Sequence, residues 1–113
     1  MFLKNGKKNT TYKIHFLENS LEEIDEIFIY ISETLKSQNA SKLFVKKIIS
    51  KTEILSRFPK IYSPISKYDK LKREYRKIVI DNYILLYTID EKEKIVYISH
   101  VFYSRKNYLN GLI

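Results

Sequence analysis

Tyr75-Arg76-Lys77-Ile78-Val79-Ile80-Asp81-Asn82-Tyr83-Ile84-Leu85-Leu86-Tyr87-Thr88-Ile89 is the stretch that decides the fold. Two runs rich in β-branched and aromatic residues flank Asp81-Asn82, whose side chains tolerate the positive φ of a tight connection. The stretch is therefore expected to form a β-hairpin of Tyr75 to Ile80 and Tyr83 to Ile89. A third such run, Ile95 to Tyr103, follows the polar turn Asp90-Glu91-Lys92-Glu93-Lys94, which extends the hairpin to a three-strand meander. The meander would deliver Tyr103-Ser104-Arg105-Lys106-Asn107-Tyr108 to the end of a rigid sheet. Guanidinium and ammonium groups hold phosphates or carboxylates, and phenols stack on bases or move protons. This cluster is the first candidate for a working surface, against the alternative of a solvated basic terminus.

Upstream, Tyr12, Ile14 and Phe16 alternate with Lys13 and His15, the period of a half-buried strand. Ser20 followed by Glu23 has the spacing of a capping box, and Leu21, Ile24, Phe28, Ile31 and Leu35 then recur at helical spacing. Glu22, Glu23, Asp25 and Glu26 fall where a helix dipole favours negative charge. Ser37-Gln38-Asn39 reads as a short connection to a second helix with Phe44, Ile48, Thr52 and Leu55 on one face, and Pro59 is expected to end it. Two helices joined so tightly form an antiparallel hairpin. Lys60 to Arg73 reads as a loop, and Arg105 to Ile113 as a short tail. The fold class is α+β: an N-terminal strand, then a two-helix antiparallel hairpin packed on a twisted antiparallel sheet that ends in the three-strand meander. Residues 1–113 are expected to be one domain, with 1–10 a flexible tail.

Composition narrows the chemistry. The chain has no Cys, which removes disulfides, thiolate metal sites and cysteine nucleophiles and suits a reducing cytoplasm. His15 and His100 lack acidic neighbours at metal-ligand spacing, so no metal is assigned. Two glycines, Gly6 and Gly111, build no phosphate-cradling loop, so no cofactor is expected. No apolar run approaches the roughly 20 residues that span a bilayer, and the first residues lack the apolar segment of a signal peptide, so a soluble cytoplasmic protein without membrane partners is expected. The formal net charge is +8. Its distribution is uneven, for residues 18–37 carry six acids against Lys36, whereas basic residues outnumber acids in every other part of the chain. An anionic partner, nucleic acid or an acidic protein segment, fits that balance.

The order of strand, helix hairpin, meander and basic-aromatic end resembles the RelE/ParE superfamily of toxins from bacterial type II toxin-antitoxin modules. The fragments that carry the resemblance are Tyr30-Ile31, Leu55-Ser56-Arg57-Phe58-Pro59, Tyr75 to Tyr83 with Leu86-Tyr87, and Val96-Tyr97-Ile98 through Val101 to Tyr103-Ser104-Arg105-Lys106. The resemblance implies growth arrest, plasmid stabilisation and a cognate antitoxin as partner. It leaves two targets open, because RelE-like members cut ribosome-bound mRNA as metal-independent endoribonucleases and ParE-like members poison DNA gyrase. For an RNase, the resemblance implies Arg105, Arg76 and Tyr108 as catalytic residues, with Lys77, Tyr103, Lys106 and His100 binding the substrate. Ile84 stands where the RelE pattern has an arginine, Ser104 stands where a glycine is usual, and the long helix hairpin is ParE-like. These departures group the chain with ParE, so a gyrase poison is the first expectation. The alternatives are an mRNA endonuclease and a non-enzymatic nucleic-acid-binding or adaptor domain on the same scaffold.

Overall fold

The computed structural model describes residues 11–65 and 73–105. In chain order these form strand β1 (Lys13–Phe16), helix α1 (Glu18–Ile29), a π-helical turn (Tyr30–Thr34), helix α2 (Gln38–Glu53), a 3-10 turn (Ile54–Ser56), and strands β2 (Arg76–Ile80), β3 (Tyr83–Asp90) and β4 (Ile95–Tyr103). The four strands make one sheet in the order β1-β4-β3-β2. The meander pairs antiparallel as expected, with Ile78 opposite Leu85 and Leu85 opposite Val101. β1, however, runs parallel to β4, with Phe16 opposite Ile98, so the sheet is mixed rather than wholly antiparallel. Alternation of apolar and polar residues specifies which face a strand buries and leaves the direction of its partner unspecified.

One face of the sheet carries the main core. Ile78, Ile80, Leu85, Tyr87, Val96, Ile98 and Val101 meet Ile31 from the π turn, Phe44 and Ile48 from α2 and Leu55 from the 3-10 turn. At roughly 1.5–3 kcal/mol for each large apolar side chain withdrawn from water, this contact is the main support of the fold. The outer face holds a smaller cluster of Ile84, Leu86 and Phe102, against which Ile65 and Tyr75 pack. Asp81 takes φ 54° in the β2–β3 turn, and Lys94 takes φ 60° before β4. The Asp81 carboxylate also accepts a bidentate contact from Lys47 Nζ at 2.9 and 3.0 Å, tying the turn to α2.

The helices depart from expectation in three places. First, α1 begins at Glu18 with Leu17 as its N-cap, and no side chain caps it. Ser20 is fully buried and donates to Leu17 O at 2.7 Å, so the expected capping box is not formed. Second, the apolar stripe is rotated. Ile24, Ile27 and Ile31 reach the core, whereas Leu21 and Leu35 are about half exposed. Leu21 lies in the first turn, and the wider π turn, closed by Leu35 N–H to Tyr30 O at 3.1 Å, carries Leu35 out of the stripe. Third, α2 gives way to the 3-10 turn at Ile54, before Pro59 can end it. Its start is capped by Ser37, whose hydroxyl accepts from Ala40 N–H at 3.1 Å.

Candidate functional site

Strand register fixes where each candidate residue sits. Arg76 opposes Tyr87, which opposes Ile98, and all three lie on the helix-facing side of the sheet. Arg76 is only 8 % exposed. Its guanidinium donates to Tyr62 O at 2.7 Å and to the Glu74 carboxylate at 3.2 Å, and the buried Nε has no partner among the described residues. Arg76 is thus a clamp that fastens the segment before β2 onto the sheet, reinforced by the Pro64–Arg76 bridge. Arg105 is exposed just beyond β4, where Ser104 N–H reaches Asn82 O at 2.7 Å beside the β2–β3 turn. With ~3.3 Å per residue along a strand and ~4.8 Å between strands, the Arg76 and Arg105 positions are on the order of 20 Å apart. The expected convergence of the two arginines on one phosphate is not what the sheet builds.

Lys77, by contrast, lies on the outer face in one cross-strand row with Leu86 and His100, and Lys77 is exposed. His100 stacks on Phe102 with ring centroids 5.2 Å apart and an interplanar angle of 14°. Its Nδ1 lies 3.5 Å from the Glu23 carboxylate, an ion-pair separation, and has no hydrogen-bond partner among the described residues. Ile84 is buried beside Leu86 and Phe102, so the position expected to differ from an arginine is part of an apolar cluster. Tyr103 is half exposed at the end of β4 in the row of Ile80 and Tyr83. The remaining candidates, Lys106 and Tyr108, fall outside the described residues.

A feature that sequence reasoning missed lies along the open part of β4. β1 pairs only as far as Ile98, whose carbonyl accepts Leu17 N–H at 2.9 Å. Past that point the edge amide of Val101 is taken at 2.9 Å by Glu23, which supplies from α1 the acceptor that a neighbouring strand would otherwise provide. Alongside runs a groove of about 600 Å³ between α1 and the ends of β3 and β4. Glu23, Glu26, Ile27 and Tyr30 form one wall at helical spacing, and Tyr83, Phe102 and Tyr103 line the other. Tyr83 packs on Phe44 and meets Tyr103 edge-on at 6.0 Å. Burial pushes the Tyr83 phenol up from its usual range, and the neighbouring phenols of Tyr30 and Tyr103 push the same way. Because α1 begins at Glu18, Glu23 and Glu26 lie beyond the first turn, and the dipole does not account for them. That excess of acid past the first turn was the available signal.

At the other end of the sheet a shallower, mainly apolar hollow of about 510 Å³ is lined by Tyr12, Phe58, Pro59 and Ile61. Lys60 and Glu91 form an ion pair at 2.6 Å on its rim. Each holds the other charged: the Lys60 ammonium is raised and the Glu91 carboxyl lowered, in both cases first through their mutual hydrogen bond. Among the described residues there is no group of three potential metal ligands, and no helix is long and apolar enough to cross a membrane.

The sequence profile of the ParE toxin of the parDE type II toxin-antitoxin system matches residues 14–108. The chain belongs to the ParE toxin family. The match spans every element of the fold from β1 onward, so the whole sheet and both helices are those of the toxin. Solved structures agree on the fold. A chain of the chromosomal ParDE system from P. aeruginosa superposes with a TM-score of 0.66 at 9 % identity, covering 83 % of this chain and 97 % of that one. The archaeal RelE-RelB complex from Pyrococcus horikoshii OT3 gives a TM-score of 0.59 at 12 % identity, covering 85 % and 98 %. The isolated E. coli RelE toxin gives 0.53 at 17 % identity, covering 88 % and 92 %. Comparison with curated proteins by sequence gives no match.

Proposed function

We propose that this type II toxin halts growth by engaging a protein target, DNA gyrase, and that a cognate antitoxin restrains it. The observation that carries this reading is the separation of the two arginines. Phosphodiester cleavage by side chains alone needs several cations around the pentacoordinate phosphate. Here Arg76 is turned to the helix side and already bound, and Ile84 contributes only apolar surface to the outer face. Membership of the ParE family supports the same target, and the similarity to ParDE and RelE-RelB structures supports the antitoxin. Cytoplasmic action follows from that target.

A second reading, a ribosome-dependent mRNA endonuclease, draws on the row of Lys77 and His100. Those two strands are about 10 Å apart on the outer face, a span that a phosphate and its neighbouring nucleotide could bridge. In that reading Glu23 orients His100 through Nδ1 for proton transfer at the 2′-hydroxyl.

The two readings separate in one set of cells. Expression of the chain alone is expected to arrest growth and to induce DNA-damage signalling before translation falls, and co-expression of the adjacent antitoxin gene is expected to restore growth. Arg105→Ala should weaken toxicity, with target affinity down roughly tenfold, as for an interface arginine. Lys92→Ala, in the exposed turn between β3 and β4, should leave toxicity unchanged. Equal toxicity of the two variants at matched, folded expression would remove Arg105 from the working surface.

A further inference from the structure

We propose that the groove between α1 and the end of β4 is a docking site for a cationic segment of a partner protein, one that carries Arg or Lys between apolar side chains. The inference stands on the groove itself and is independent of which target the toxin attacks. Its only charged lining residues among the described ones are Glu23 and Glu26, in a chain of net charge +8. Three lining side chains are left in water where the core could have used them: Tyr30 is 49 % exposed, Leu35 55 % and Tyr103 47 %.

These features complement one kind of occupant. A guanidinium or ammonium group entering between the two carboxylates is paired electrostatically, and the phenol faces of Tyr30 and Tyr103 offer it cation–π contact. Apolar neighbours on the same segment would cover Leu35 and remove it from water. The wall is fixed in place, because Glu23 is held by the Val101 amide and the π turn closes on Tyr30 O. A partner that finds such a rigid site loses little affinity to ordering it. An acidic segment, the partner that the net charge alone would attract, is repelled here.

The test uses the full chain and two synthetic amphipathic peptides that share the same Leu and Trp positions and carry either Arg or Glu at the intervening positions. Titration by calorimetry is expected to show the Arg peptide binding about tenfold or more tightly than the Glu peptide, although long-range electrostatics favours the Glu peptide. Glu26→Lys should abolish the preference, and Glu23→Gln, which keeps an acceptor for Val101 N–H, should reduce it. Lys42→Gln, on the exposed side of α2, should leave it unchanged. Equal affinity for the two peptides would overturn the proposal, as would a preference that survives Glu26→Lys and Glu23→Gln together. A dimer in sedimentation that Tyr30→Ala dissolves would assign the groove to a second copy of the chain and overturn it equally. Loss of growth arrest would bear on the toxin reading alone.

Discussion

Tyr87 is fully buried in the main core and donates its hydroxyl to Pro59 O at 2.7 Å, joining β3 to the segment after the 3-10 turn. Burial pushes this phenol up to about 12, only partly opposed by Arg76 beside it. Since the folded state holds the proton more tightly than the unfolded chain, with its value near 10, the contribution is fully present below about pH 10 and is lost as the pH rises toward 12. The loss is on the order of 3 kcal/mol at about 1.4 kcal/mol per pH unit. Tyr87→Phe is expected to cost about 1 kcal/mol at neutral pH, through the lost hydrogen bond, and to make the alkaline decline shallower than in the parent. Urea unfolding of both proteins between neutral pH and pH 12 measures this, and an unchanged alkaline slope would show that Tyr87 does not titrate with unfolding. Arg76 illustrates the same scale from the other side. The family resemblance implied a phosphate ligand, and only the register, which puts it opposite Tyr87, and its hydrogen bond to Tyr62 O reveal a structural clamp.

At the scale of elements, the strands were legible from their runs of β-branched and aromatic residues, and Arg76–Ile80 alternates buried and exposed along its whole length. The helices were less so. Nothing in Tyr30-Ile31-Ser32-Glu33-Thr34 marks a π turn, since no Gly or Pro interrupts it, and that turn decides that Ile31 is buried while Leu35 is not. Ser20 and Glu23 satisfied a local rule, but the Glu23 carboxylate is claimed by Val101, 78 residues away, a contact that no local spacing could indicate. The groove is a product of both facts and so was invisible in the sequence apart from its surplus of acid. The rotated stripe makes a stability prediction. Leu55→Ala, at a position with no solvent exposure, is expected to cost about 2–5 kcal/mol, whereas Leu35→Ala should stay within about 0.5 kcal/mol. Chemical denaturation of the two variants checks it, and comparable losses would mean that Leu35 belongs to the core after all.

Across the whole molecule the charges are segregated by element. Glu23 and Glu26 of α1 border the groove, whereas the exposed cations Lys42 and Lys46 lie on α2, Lys77 on β2 and Arg105 past β4. The fold and the family were legible because the order of elements and the fragments from Leu55 to Pro59 and from Tyr75 to Tyr87 are spread over the chain, and the family profile covers the same span. The target was less legible, since it depends on which cations share a face. We propose that this sheet presents a protein-binding surface to gyrase in place of an assembled phosphate-cleaving site. The most direct measurement incubates the purified chain with gyrase and supercoiled plasmid and, in parallel, with translating ribosomes. Trapped, cleaved plasmid that depends on both gyrase and toxin is expected, with the ribosome-bound mRNA left intact. Cuts in the mRNA without any trapped plasmid would contradict it.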